Sequence, residues 1–161
     1  MKLEIGDLAP SFTLSDSFDK KISLEDFKGK WVVLYFYPKD DTPGCTLEAM
    51  TFSKDHDKFK ELGASVVGIS KDNTGSHINF ISKYRLTIDL LSDKNHKVIE
   101  KYGAWSKKKL FNNVYYGIQR STFLIDKEGK IAFIWPKVKV LGHSKKVLDK
   151  IKELSKKKDK K

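Results

Sequence analysis

Cys45 is the only cysteine in a chain of 161 residues, and it stands in the run Pro38-Lys39-Asp40-Asp41-Thr42-Pro43-Gly44-Cys45-Thr46-Leu47-Glu48. A thiol with an ordinary pKa of about 8.5 is mostly protonated at neutral pH, whereas the thiolate is the form that attacks an electrophilic oxygen. Something must therefore stabilise the anion. Cys45, Ala49, Phe52, His56 and Phe59 recur at alternating spacings of four and three residues, which is the period of one helix face. A helix beginning near Thr42-Pro43-Gly44 places Cys45 in its first turn, where unpaired backbone N–H groups and the positive end of the helix dipole favour negative charge. Pro43 tolerates a helix start, and Gly44 lets the backbone be approached closely. Thr42 and Glu48 are polar groups close by, able to arrange hydrogen bonds around a small substrate. The plain alternative is that Cys45 is a small buried hydrophobe.

The elements that would position this turn follow from pattern. Trp31 to Tyr37 (Trp-Val-Val-Leu-Tyr-Phe-Tyr) is an unbroken β-favouring run and suits a central strand buried on both faces. Ser65 to Ser70 reads as a second strand, and a helix follows from about Ser76 to Tyr84, with Ile78 and Ile81 on one side. A short strand near Ile88 to Leu91 and a short helix near Lys94 to Tyr102 come next. Ser121 to Asp126 and Lys130 to Trp135 flank Lys127-Glu128-Gly129, a hairpin-turn composition that makes them antiparallel. Val147, Leu148, Ile151 and Leu154 outline a closing amphipathic helix. A parallel strand–helix–strand opening followed by an antiparallel hairpin and a last helix is an α/β, thioredoxin-like fold: a mixed central β-sheet flanked by helices. Sites in such sheets lie beyond the carboxyl ends of strands, where a loop feeds a helix. Cys45 occupies that place.

Composition bounds the rest. The length suits one domain, and a 39% hydrophobic, 12% aromatic content argues against disorder. The expected organisation is one domain over residues 1–155 and a basic, disordered tail over 156–161. The formal charge is +11; the five lysines and one aspartate of Lys156 to Lys161 carry +4 of it, leaving +7 for the body. That charge is spread along the chain, so it predicts non-specific adhesion to polyanions and no specific nucleic-acid function. No apolar run is long enough for a membrane span, and Met1 to Pro10 has no signal-peptide pattern, so a cytoplasmic location is expected. A single cysteine excludes an internal disulfide.

Tyr35 to Ala49, Tyr-Phe-Tyr-Pro-Lys-Asp-Asp-Thr-Pro-Gly-Cys-Thr-Leu-Glu-Ala, resembles the peroxidatic segment of peroxiredoxins and is most similar to their bacterioferritin-comigratory, or Q-type, subfamily. Pro38, Thr42 and Cys45 meet the pattern Pro-x-x-x-Thr-x-x-Cys, and Arg120 in Gln119-Arg120-Ser121-Thr122-Phe123 matches the family's distant arginine. The likeness extends from Gly6-Asp7 and Ala9-Pro10, through Gly68-Ile69-Ser70-Lys71-Asp72 and Leu90-Leu91-Ser92-Asp93, to Leu141-Gly142-His143. The resemblance implies a thiol-dependent peroxidase for hydrogen peroxide and organic hydroperoxides, without metal or organic cofactor. It also assigns roles. Cys45 attacks the peroxide and becomes sulfenic acid, and Arg120 stabilises the thiolate and holds peroxide oxygen by its fork of donors. Thr42 hydrogen-bonds the peroxide, Pro38 shields the pocket from water, and Glu48 orients Arg120. Taken singly, Arg120 reads as a solvated surface group, Thr42 as a helix cap and Pro38 as a strand terminator.

One departure from the family pattern changes the expected cycle. Many Q-type members carry a resolving cysteine five residues after the first, where this chain has Met50, and others carry it in the next helix, where Asn79 to Tyr84 has none. Sulfenate at Cys45 must then be reduced by an external thiol such as thioredoxin, glutaredoxin or a small thiol, and a monomer is expected. Two other readings are a monothiol disulfide reductase of the same fold, against which Glu48 stands where a Cys-x-x-Cys slot needs its second cysteine, and a non-catalytic basic binding module. His56, His77, His96 and His143 show no metal-ligand spacing, and His56 reads as a packing residue. Trp31, Trp105 and Trp135 read as packing residues on or beside strands, and Lys107-Lys108-Lys109 as a solvated loop.

Overall fold

The computed structural model describes residues 2–159, with side chains for residues 2–157. Its centre is the apolar run read above: β3 (Trp31–Phe36) is buried at every position. Side chains of a strand alternate between faces, and β3 feeds two cores. Trp31, Val33, Tyr35 and Tyr37 enter one; Val32, Leu34 and Phe36 enter the other.

A mixed seven-stranded sheet forms around it in the order β2-β1-β5-β4-β3-β8-β9, with β1 (Thr13–Asp16), β2 (Lys21–Ser23), β4 (Ala64–Ser70), β5 (Asp89–Ser92), β8 (Ser121–Ile125) and β9 (Ile131–Trp135). β3, β4 and β5 run parallel to one another, while β8 runs antiparallel to β3 and to β9. The β8–β9 hairpin turns where Lys127-Glu128-Gly129 predicts it. Asp126 Oδ1 there accepts the N–H groups of Glu128 and Lys130 at 2.9 and 3.0 Å. One face of the sheet is covered by α1 (Pro43–Lys54), α2 (His56–Glu61), α3 (Thr74–Tyr84) and α5 (His143–Asp159), which place Ala49, Phe52, Phe59, Phe80, Val147, Leu148 and Ile151 in the first core. α4 (Lys97–Lys101) adds Val98 and Ile99 to the second.

Three features differ from the sequence reading. The helix that begins near Cys45 is interrupted: Asp55, at φ −91° and ψ 8°, separates α1 from α2. Phe52 and Phe59 stay packed across the break, ring centroids 5.8 Å apart, and His56 is half-buried. The segment holding Lys107 to Lys109 is a strand rather than a loop. β6 (Trp105–Leu110) pairs with β7 (Asn113–Ile118) in a separate two-stranded sheet. Its cross-strand pairs, Trp105 with Ile118 and Lys108 with Tyr115, supply the aromatic and β-branched contacts that outweigh the charge run. Lastly, α5 continues through Asp159, into the segment read as a disordered tail. Lys150 and Lys157 flank Glu153 at 2.8 and 3.6 Å on successive turns, a spacing that supports helix on an exposed face. Residues 160 and 161 lie outside the described residues.

Candidate active site

β3 ends at Phe36, and the chain turns through residues 37–42 before α1 begins. Thr42 is the residue before the helix, in extended conformation at φ −106° and ψ 155°, with Pro43 at the first helical position. Thr42 reads as a cap from sequence, yet its side chain makes no capping bond; its hydroxyl instead donates to the Lys39 carbonyl at 2.9 Å. The donor is thereby used within the turn, and the oxygen lone pairs are left to accept a bond. Cys45, the third helical residue, is 2% exposed.

Arg120 reaches Cys45 from 75 positions away because of register. β8 lies antiparallel to β3 with Ser121 opposite Phe36, so the residue before β8 falls at the end of the sheet where α1 starts. Arg120 Nη2 donates to Cys45 Sγ at 3.2 Å, and Nη1 donates to Glu48 Oε1 at 2.6 Å. Both acceptors come from α1, one helical turn apart, and the planar fork of the guanidinium spans them. A Cβ on Gly44 would sit 3.1 Å from Nη2, so glycine there leaves room for the guanidinium over the helix start.

The electrostatics are uneven. Glu48 is buried, and its Oε2 has no hydrogen-bond partner among the described residues. Burial pushes its carboxyl up to about 7 even though the charge and hydrogen bond of Arg120 pull it down. For Arg120, burial acts downward, but the charges of Glu48 and Cys45 outweigh it and hold the guanidinium above its ordinary value. Burial also holds the Tyr35 hydroxyl well above its ordinary value, with the charges of Glu48 and Cys45 adding to it. His143, at the start of α5, is pushed down to about 4 by burial and by the charges of Lys146 and Arg120. Its Nε2 lies 2.8 Å from Thr122 Oγ1.

Of the residues singled out from sequence, Cys45, Arg120 and Glu48 are joined directly, and Thr42 lies in the turn that leads into their helix. Pro38 is in the same turn and exposed. Sequence reasoning missed a second constellation behind the turn. Asp40 is 6% exposed and His77 is fully buried; Asp40 accepts bonds from Tyr37, Ser76 and His77 at 2.6, 2.8 and 2.7 Å. Its backbone N–H donates to Asp72 Oδ2 at 2.8 Å. Asp40, Asp72 and His77 bring possible metal-ligand atoms within 4.8 Å of one another, but these atoms are engaged in the network just described, which is a structural arrangement. Neither residue type nor spacing signals it, because Asp40 and His77 come from different elements. A hollow of about 360 Å³ beside the turn is lined by Thr42, Pro43, Leu47, Met50 and Tyr84. A slightly larger one, about 390 Å³, lies at the opposite end of β3 near Leu24, Val32 and Ile125, away from Cys45.

A family model described as AhpC/TSA matches residues 5–134, a span that holds the whole constellation. The chain is a peroxiredoxin of the AhpC/TSA family. Within it, the chain is 46% identical over 157 residues to peroxiredoxin Bcp of Bacillus subtilis, covering 98% of this chain and all of that one. Against peroxiredoxin Bcp of Escherichia coli it is 41% identical over 151 residues, covering 94% and 97%. Peroxiredoxin Q of Xanthomonas campestris superposes with a TM-score of 0.85 at 38% identity, covering 88% of this chain and 90% of that one. A variant of peroxiredoxin Q from Xylella fastidiosa does so at 0.91 and 34%, covering 96% and 99%. These neighbours agree with the thioredoxin-like architecture and with the Q-type resemblance of the Cys45 segment. No helix among the described residues is long and apolar enough to cross a membrane.

Proposed function

We propose that this peroxiredoxin reduces hydrogen peroxide and organic hydroperoxides at Cys45 and returns to its thiol form through an external thiol. The observation that carries the assignment is the fork of Arg120, which joins Cys45 Sγ and Glu48 Oε1 at the start of α1. Sγ, as thiolate, attacks the terminal oxygen of the peroxide. An S–O bond forms as the O–O bond breaks, sulfur is oxidised by two electrons to sulfenic acid, and the alkoxide or hydroxide that leaves takes the proton the thiol gave up. Arg120 places positive charge where the thiolate stands and where oxygen charge develops. The Thr42 hydroxyl, its own proton held by the Lys39 carbonyl, accepts the O–H of the peroxide and sets its angle to Sγ. Glu48 orients Arg120, and Pro38 shields the pocket from bulk water. The bacterioferritin comigratory protein of Xanthomonas campestris, a structural neighbour, has alkyl peroxide reduction activity, which supports organic hydroperoxides as substrates of this chain.

With one cysteine in the sequence, the oxidised sulfur has no internal partner. A thiol of the thioredoxin or glutaredoxin kind, or a small thiol, attacks the sulfenic sulfur, releases water and leaves a mixed disulfide. A second thiol then cleaves it. The working unit is a cytoplasmic monomer of residues 1–155 plus a basic C-terminal segment. Rapid mixing with hydrogen peroxide, followed by Trp fluorescence and intact mass, tests the assignment. Cys45→Ser is expected to abolish turnover while the circular dichroism stays native. Turnover near the wild-type rate in that variant would refute it.

A further inference from the structure

The turn that carries Thr42 is gripped from behind by one helix. On α3, Ser76 and His77 bond the carboxylate of Asp40 at 2.8 and 2.7 Å. Seven residues further along the same helix, Lys83 and Tyr84 bond the carboxylate of Asp41 at 2.8 and 2.5 Å. Residues seven apart lie two turns apart on one helix face, so α3 presents two pairs of donors to two consecutive residues. Of the inner pair, His77 is buried and Ser76 half-buried. His77 is anchored at its far side as well, with Nε2 3.0 Å from the Leu91 carbonyl oxygen of β5. The outer pair is more open, Lys83 and Asp41 being 59% and 41% exposed. Asp41 is held at φ 56°, the left-handed region, a conformation that side chains other than glycine adopt less readily and that the outer pair helps to fix.

We infer that α3 is a positioning element for the peroxide, and that Asp40, Asp41, His77 and Tyr84 are positioning residues of the reaction. The inference rests on the proposed role of Thr42. Lys39, whose carbonyl holds the Thr42 proton, and Thr42 itself flank the two gripped aspartates. Moving Asp40 and Asp41 therefore moves both partners of the bond that aims the Thr42 oxygen. Cys45 is less dependent on the grip, because it is held by Arg120 and by the packing of Ala49 and Phe52 further along α1. The peroxide is thus placed by α3 through the turn, and the thiolate is placed by β8 through Arg120. Displacement of about 1 Å in such a site lowers rates by about 100-fold, so a secure grip on Thr42 counts.

Two rates measured on the same variants separate positioning from general damage. Oxidation of Cys45 by hydrogen peroxide needs the thiolate and the Thr42 oxygen, whereas alkylation by iodoacetamide needs the thiolate alone. Asp40→Asn keeps one acceptor oxygen and puts an N–H₂ group against either the Tyr37 hydroxyl or the Ser76 and His77 donors, which bond different oxygens of the carboxylate. It is expected to lower the peroxide rate constant by about 10- to 100-fold while alkylation changes by less than about threefold. Should Asp40→Asn fail to fold, the pair Lys83→Ala with Tyr84→Phe decides, since it touches only the open end of the grip; a loss of about three- to tenfold in the peroxide rate is then expected with alkylation preserved. A folded deciding variant with the wild-type peroxide rate overturns the inference, and so does one in which both rates fall in parallel. Thr42→Val is the control for the reading beneath it: at the wild-type peroxide rate, both the role of Thr42 and the role of α3 are refuted. A slow Thr42→Val beside a fast Asp40→Asn refutes α3 alone.

Discussion

Glu48→Gln isolates what the buried carboxyl costs the folded chain. The substitution keeps an oxygen for Arg120 Nη1 and removes only the titration. In the folded protein the Glu48 carboxyl is pushed up to about 7 from an ordinary 4.5. Between those values the folded state binds a proton that the unfolded chain has released, so this group's contribution to stability is full below about 4.5 and is lost as pH rises through about 7. At about 1.36 kcal/mol per unit, the loss is about 3 kcal/mol. The wild-type profile alone would conceal it. His143 is pushed from 6.5 down to about 4, and there the unfolded chain binds the extra proton. Stability gained from His143 as pH rises is of similar size, about 3 kcal/mol, and covers nearly the same window. The measurement is therefore a difference: urea unfolding of reduced wild type and Glu48→Gln at intervals from about pH 4.5 to about pH 7.5. Wild-type stability minus variant stability should fall by about 3 kcal/mol across that range. A difference that stays constant would mean that Arg120 fully offsets the burial of Glu48, and one that rises with pH would mean that the ion pair dominates; either result refutes the reasoning.

Three further outcomes are expected. Arg120→Ala removes a cation and two donors from the site and should slow peroxide reduction by about 100- to 1,000-fold and alkylation as well; an unchanged alkylation rate at neutral pH would show that the bond to Sγ does not matter. Gly68→Ala should destabilise the fold by about 1–3 kcal/mol in denaturant titration, because the new Cβ would stand 2.7 Å from Tyr35 Cζ and 2.9 Å from Leu90 Cδ2; wild-type stability would mean that β3 and β5 yield freely. One equivalent of peroxide without added thiol should leave a monomer carrying one extra oxygen, trappable by a sulfenate reagent and driven on to sulfinate by excess peroxide. A disulfide-linked dimer as main product in non-reducing intact mass would refute the external-thiol cycle.

Much of the site was legible because its parts lie in one short stretch. Pro43, Gly44 and Cys45 announce a helix start after a strand, and the period of Ala49, Phe52 and Phe59 fixes which face turns inward. Arg120 was legible only through resemblance to a family, since its approach depends on the register of β8 against β3, which no local pattern encodes. The grip of α3 on Asp40 and Asp41 was invisible for the same reason: hydrogen bonds between residues 37 and 43 positions apart leave no periodic trace. The break at Asp55 escaped because Cys45 to Phe59 keeps one helical period across it. β1 and β2 are only four and three residues long, too short for alternation to stand out.

The β6–β7 hairpin makes its ladder with itself and lies outside the seven-stranded sheet. Its base is fastened. Trp105 stacks on His96 with ring centroids 4.1 Å apart, and Gln119 N–H donates to the Ala104 carbonyl at 2.7 Å. Its tip is open, Phe111 being 88% exposed. A ribbon of two strands is marginal by itself in water, so its outer amides should exchange with solvent by local opening, well before those of β3 and β4. Arg120 does not share in that opening, because β8 holds the chain beside it and its carbonyl accepts Val138 N–H at 3.0 Å. The hairpin tip is therefore the place where this chain tolerates a lengthened loop, a peptide tag or a fluorophore, added to the enzyme without entering its chemistry.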